Sequence, residues 1–215
     1  MANVSDVEAL AARAPWFYRK RFTVFGLLYG AAFFFGFLLT GIFAIPPVPV
    51  YRSVGHPAAL ATLAILLAVG GWALRVWASS YLSSNVVWQQ EPQATTLRVS
   101  GPYRFTRNPL YLGTILQALG IGLVAPWPVL LLLAIVMSAY NYALIAVEEP
   151  FLAATQGPAY GRYRAAVPRL IPLPWRHAPS GAERPSLRQG LHSEVMMAVV
   201  AFGVIVAVVL TWRFA

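Results

Sequence analysis

Two clusters of polar chemistry interrupt an otherwise apolar chain of 215 residues. The first is residues 101–113, GPYRFTRNPLYLG, with Arg104 and Arg107 just ahead of Asn108 and Pro109. The second is Glu148-Glu149-Pro150, at the end of the long apolar stretch that follows. Guanidiniums hold planar anions through paired N–H donors, so the first cluster suits an anionic group at a bilayer surface. Adjacent carboxylates suit the opposite task, meeting an arginine or a cationic ligand group. Both clusters also have plain structural uses. Asn108 and Pro109 make a good helix N-cap and first helical residue. Gly101-Pro102 is a turn signal, the two arginines can anchor the next span, and the glutamates can be solvated interface charge.

Composition removes several other chemistries. There is no cysteine, which excludes disulfides, thiolate nucleophiles and Cys-based metal sites. His56, His177 and His192 show no ligand spacing, and no metal site is expected. Seven acidic residues offer nothing that supports a Ser-His-Asp arrangement, and no Gly-x-Gly-x-x-Gly element is present. The net charge of +9 invites a nucleic-acid partner, but 59% hydrophobic residues with only 11% charged point instead to arginines at an anionic lipid face.

The elements that must position the two clusters are membrane helices. A helix crossing the hydrocarbon needs about 20 apolar residues. Apolar runs at 22–45, 58–79, 110–125, 129–147 and 195–212 predict five spans. The pair around Pro126-Trp127-Pro128 forms a helical hairpin, although its first arm is short. The expected fold is an all-α integral membrane protein in one domain, 1–215. It divides into a lead with two spans (1–79), a core with the hairpin (80–172), and a basic linker with a last span (173–215). Residues 8–18 are expected to form an interfacial helix with Trp16, Phe17 and Tyr18 at headgroup level. Residues 151–172 read as two short interfacial helices broken at Gly157-Pro158, and 173–190 as a loose Pro-rich segment. Gly26-xxx-Gly30 fits a helix–helix interface. Arg75, near the end of its span, either snorkels to the interface or faces the bundle.

Lys and Arg are distributed asymmetrically. Four lie in the lead, three in the 79–108 loop and six in 148–193, against Arg52 and Arg213 on the other side. The positive-inside rule then places the N-terminus in the cytoplasm and the C-terminus outside. An antiparallel helix pair returns to its starting level, so the hairpin brings Arg107 and the Glu148-Glu149 pair to the same face.

GPYRFTRNPLYLG, followed by EEPFLAATQGPAYGRYRAAVPRLIP, resembles the membrane methyltransferases of the isoprenylcysteine carboxyl methyltransferase and phospholipid methyltransferase superfamily. Those proteins share a glycine-aromatic turn, an Arg-His-Pro-x-Tyr-x-Gly element, a Glu-Glu pair after a helical hairpin, a Tyr-x-x-Tyr and a late proline. The resemblance covers residues 85–172. It implies S-adenosylmethionine as methyl donor and a lipophilic acceptor, an isoprenylcysteine-type carboxylate first, with a phospholipid amine or a thiol as alternatives. It also implies that Tyr103, Asn108, Pro109, Tyr111, Gly113 and Glu148, with Tyr160 and Tyr163, surround the cofactor. The catalytic roles fall to Arg107, Arg104, Glu148 and Glu149. An arginine is enough to hold a carboxylate acceptor, whereas an amine acceptor must lose a proton to Glu148 or Glu149. Asn108 stands where the family commonly has histidine, and asparagine can hydrogen-bond but cannot act as a base. Two rivals are a sterol-type reductase using NADPH, which shares an Arg-His-Pro-x-Tyr-like element, and a non-catalytic membrane scaffold. The partners implied are membrane lipids and a lipophilic or prenylated acceptor.

Overall fold

A computed structural model describes residues 14–82, 97–173 and 175–213. Among them the regular elements are helices, with one isolated bridge between Leu173 and Arg176. The helices are α1 (Trp16–Arg19), α2 (Arg21–Ile42), α3 (Pro57–Ser79), α4 (Pro109–Leu123), α5 (Trp127–Gln156), α6 (Pro158–Ala166), α7 (Leu187–Ser193) and α8 (Val195–Arg213). The remainder of the expected interfacial helix at 8–13, and the polar residues Asn85, Gln89, Gln90 and Glu91, lie outside the described residues.

The chain is an integral membrane protein. Three helices, α2, α3 and α5, are long and apolar enough to cross a bilayer. The pair α7 and α8, bent by 68°, makes a fourth if it is one broken span. The first hairpin arm, α4, has 15 residues and falls short of a full crossing. Large apolar side chains on α2, such as Leu27 at 68% and Phe34 at 66% exposure, have no protein cover, as expected of side chains that face lipid. α2 ends where Ala44 takes a left-handed φ of 50° and the Ile45 N–H donates 2.9 Å back to the Thr40 carbonyl. Pro46 and Pro47 then prevent continuation.

α5 corrects one expectation. The returning arm does not stop at Val147 but runs through Glu148, Glu149 and Pro150 to Gln156, 30 residues in all. A proline inside a helix removes one N–H donor and kinks the helix without always ending it. The break falls instead at Gly157, whose φ of 54° suits glycine, and Pro158 opens α6. The first of the two interfacial helices expected after Pro150 is therefore the tail of α5. The glutamates also have more than a turn of helix beyond them, so the dipole of a helix end does not set their electrostatics.

The chain divides into two compact units. One comprises Phe25–Ala73, Gly113–Tyr140 and Glu194–Ala215. Within it, small residues let backbones approach. A Cβ on Gly120 would sit 2.8 Å from the Ala64 carbonyl and 2.9 Å from the Ala68 nitrogen, and one on Gly71 would sit 2.6 Å from the Gly113 carbonyl. A Cβ on Gly36 would be 2.8 Å from the Val129 Cα. Gly26 and Gly30 have open space around them, so the tight seams run through other glycines than that pair. Gln117, buried in this unit, donates 3.0 Å from Nε2 to the Met197 carbonyl.

The other unit comprises Met1–Val24, Leu74–Leu112 and Asn141–Ser193. The segment after Pro172 is docked within it rather than loose. The Ala178 N–H donates 3.0 Å to the Arg104 carbonyl, and the Ser186 N–H donates 2.8 Å to the Ser80 carbonyl. Glu183 accepts from the Ser100 hydroxyl and from the Val99 N–H at 3.3 Å. Burial alone would raise the Glu183 carboxyl, but these bonds hold it below the ordinary carboxylate range. Backbone polar groups that find partners outweigh the Pro-rich composition that suggested a linker.

Candidate functional site

The site is built inside the second of these units. At Gly101 the backbone takes φ +60°, and a Cβ there would run into the Tyr81 ring. Only glycine meets both conditions. A 3-10 turn over Gly101–Arg104 follows, and α4 starts at Pro109. Asn108 takes the expected position before the helix, and its side-chain amide donates to other parts of the chain. Its Nδ2 donates 2.8 Å to the Arg169 carbonyl and 3.4 Å to Glu149 Oε1.

Adjacent residues on a helix point about 100° apart, so Glu148 and Glu149 meet different partners. Glu149, 4% exposed, lies between two guanidiniums. Arg107 donates to Oε1 from Nε at 3.0 Å, and its Nη2 forms an ion pair with the same oxygen at 2.9 Å. Arg169 donates to Oε2 from Nε at 3.0 Å and from Nη2 at 2.6 Å. The third nitrogen of Arg107 donates 3.0 Å to the Arg164 carbonyl, and its backbone N–H donates 3.0 Å to that of Pro168. Glu149 thus accepts three charge-assisted bonds from two arginines and ties the start of α4 to the chain that follows α6. Every side of this carboxylate is taken, which suits it to holding the site together rather than to accepting a proton.

Glu148 meets hydroxyls. Oε1 accepts from Tyr111 Oη at 2.7 Å and from Tyr18 Oη at 2.5 Å. Among the described residues no hydrogen bond reaches Oε2. Tyr18 belongs to α1 and is 2% exposed. Burial first, and the neighbouring Glu148 second, hold its hydroxyl far above its ordinary titration range, so it stays a donor.

The two tyrosines of α6 pack beside these charges. Tyr163 Oη donates 2.7 Å to the Tyr103 carbonyl, locking α6 onto the glycine turn. Burial raises its hydroxyl above the usual value. Tyr160 is buried and its hydroxyl has no partner among the described residues. Burial, and then the Glu149 charge, push it up to about 12.

Of the residues singled out from sequence, Arg107, Asn108, Tyr111, Glu148 and Glu149 come together directly, with Tyr103, Pro109, Tyr160 and Tyr163 around them. Arg104 does not join the carboxylates. Its Nε donates 3.0 Å to the Ala178 carbonyl, and its guanidinium lies 5.4 Å from the centre of the Phe105 ring. Gly113 belongs to the first unit described, where its carbonyl faces Gly71. Arg75, for which either snorkelling or a place in the bundle was expected, donates 3.0 Å from Nη1 to the Leu110 carbonyl. Two residues stood out too little in sequence. Arg169 was visible only as one of several basic residues before Pro172, and Tyr18 only as part of an aromatic cluster.

Residues 59–158 match the phospholipid methyltransferase family. That segment contains the glycine turn, Arg107 to Tyr111 and both glutamates, and it supports the resemblance read from the motifs. The chain is also similar to the cobalt-zinc-cadmium resistance protein CzcN of Cupriavidus metallidurans, 32% identical over 114 residues. That alignment covers 53% of this chain and 48% of the relative, so the chain spans about half the length of the curated relative it matches. No solved structure matches.

Proposed function

We propose that the protein is a methyltransferase that takes a methyl group from S-adenosylmethionine and gives it to a lipophilic acceptor, an isoprenylcysteine-type carboxylate first. The observation that carries this reading is the arrangement around Glu148 and Glu149 within the segment that matches the phospholipid methyltransferase family. The residues suit such a donor. Glu148 offers a carboxylate oxygen without a hydrogen bond among the described residues, fitting a positively charged group. Tyr160 offers a buried hydroxyl without a partner, fitting a polar atom of a ligand. When bound, the sulfonium of the donor supplies an electrophilic methyl group.

The chain's own residues then have limited work. Glu148 attracts and orients positive charge. Arg107 and Arg169, tied to Glu149, leave a net positive cluster that favours an anionic acceptor group. Such an acceptor needs no base. The family match also favours a phospholipid amine, which must first lose a proton, and Glu148 is then the carboxylate placed to take it. Asn108, in place of a histidine, holds Glu149 and the Arg169 carbonyl and moves no proton.

Of the two arginines proposed to hold the acceptor, Arg107 acts through the charge of this cluster because its side-chain nitrogens are engaged, and Arg104 is bonded to the Ala178 carbonyl instead. Five spans with a cytoplasmic N-terminus and a cytoplasmic site remain the proposed topology, with α4 as a short crossing. The lysine and arginine asymmetry supports it. Cysteines placed at 52 and 180 are expected to label from opposite sides of a sealed vesicle; labelling from one side contradicts this topology.

Calorimetry on the purified protein in micelles tests the donor. Heat is expected with S-adenosylmethionine and with its demethylated product. A response to NADPH and to neither of these would support the reductase reading instead.

A further inference from the structure

Tyr18 lies well outside the matched residues 59–158, and by composition it is one of three headgroup aromatics. The structure separates it from its neighbours. Trp16 is 72% exposed, whereas Tyr18 is 2% exposed. Its hydroxyl sits 2.5 Å from Glu148 Oε1, the oxygen that Tyr111 also reaches at 2.7 Å. Its ring lies 5.0 Å from the Arg21 guanidinium, which also reaches the Tyr18 carbonyl at 3.5 Å.

A carboxylate oxygen has two lone pairs. Two phenols on Oε1 fill both, and they fix the plane of the carboxylate and the identity of the oxygen left over. With a single hydroxyl, the group can turn and exchange its oxygens. The second hydroxyl comes from the short helix ahead of the first span, far in sequence from the motifs around Glu148. A burial this complete, with the hydroxyl on a carboxylate oxygen, is more than a membrane anchor requires.

We propose that Tyr18 is a positioning residue of the methyl-donor site. Together with Tyr111 it holds Glu148 by Oε1, so that Oε2 presents negative charge to the cationic sulfonium side of S-adenosylmethionine. This rests on the donor assignment made above. The N-terminal helix then belongs to the site.

The donor and its demethylated product test this, because they differ in the charge on sulfur. In detergent-solubilised full-length protein, Tyr18→Phe keeps the ring and removes the hydroxyl. It is expected to weaken S-adenosylmethionine binding about tenfold while changing binding of the neutral thioether product less than about twofold. Tyr111→Phe is expected to show the same selective loss, which covers the case in which one variant folds poorly. In a Glu148→Gln background, Tyr18→Phe is expected to add nothing further, because its effect runs through the carboxylate. Equal weakening of both ligands, no weakening of either, or fully additive losses in the double variant would overturn the proposal while leaving the donor assignment intact. A wild-type protein that binds neither ligand would overturn the assignment and this inference together.

Discussion

The Arg107–Glu149–Arg169 cluster behaves as one object at the scale of single residues. A buried ion pair contributes little net stability when formed but costs much when one partner is removed, because the other charge stays behind. The Arg107 side chain is 8% exposed and that of Glu149 5%, so Arg107→Ala is expected to cost about 3–5 kcal/mol in unfolding free energy. The Arg169 side chain is 45% exposed, and water can replace much of what it supplies. Arg169→Ala is therefore expected to cost nearer 1 kcal/mol. Denaturation in detergent compares the two, and equal losses would show that exposure does not set the energetics of the cluster. Glu149→Gln removes the charge that both arginines share, so in that background Arg107→Ala should cost far less than in the wild type.

At the scale of elements, the seams between helices depend on a few glycines. Gly120→Ala would put a methyl group 2.8 Å from the Ala64 carbonyl and 2.9 Å from the Ala68 nitrogen, both backbone atoms. One helix must then shift, at about 1–3 kcal/mol. Gly26 has open space, and Gly26→Ala is expected to stabilise its helix by about 0.5–1 kcal/mol. Opposite shifts in thermal midpoint are the expected result, and a harmless Gly120→Ala would show that the seam is loose. Sequence could not separate these two glycines, since both sit in apolar helices and only tertiary contact distinguishes them. The same limit explains the course of α5. Glu-Glu-Pro reads as a helix end because a proline removes a hydrogen bond and charges favour water, yet Glu149 finds two arginines and the helix continues. By contrast, the helical hairpin and the return of Glu149 to Arg107 followed from spacing alone. Arg104 shows where spacing misleads. It lies three residues before Arg107, but the turn between them sends it to Ala178.

For the whole molecule, composition was enough to establish an integral membrane protein with helical spans, while their number depends on α4 and on the bend between α7 and α8. The site was legible as far as its motifs extend. Tyr18, Arg169 and the docking of residues 178–186 come from distant parts of the chain, and only the fold brings them to Glu148, to Glu149 and to the backbone at Ser80 and Arg104. The central claim is transfer of a methyl group to a molecule in the bilayer. It is tested by supplying the purified protein, reconstituted with a membrane lipid extract, with S-adenosylmethionine labelled in its methyl carbon. Label is expected in the organic-soluble fraction with wild-type protein and with Gly26→Ala, and is expected to fall by at least about tenfold with Glu148→Gln. Label that stays entirely water-soluble, or a Glu148→Gln protein that transfers methyl groups as well as wild type, would contradict it.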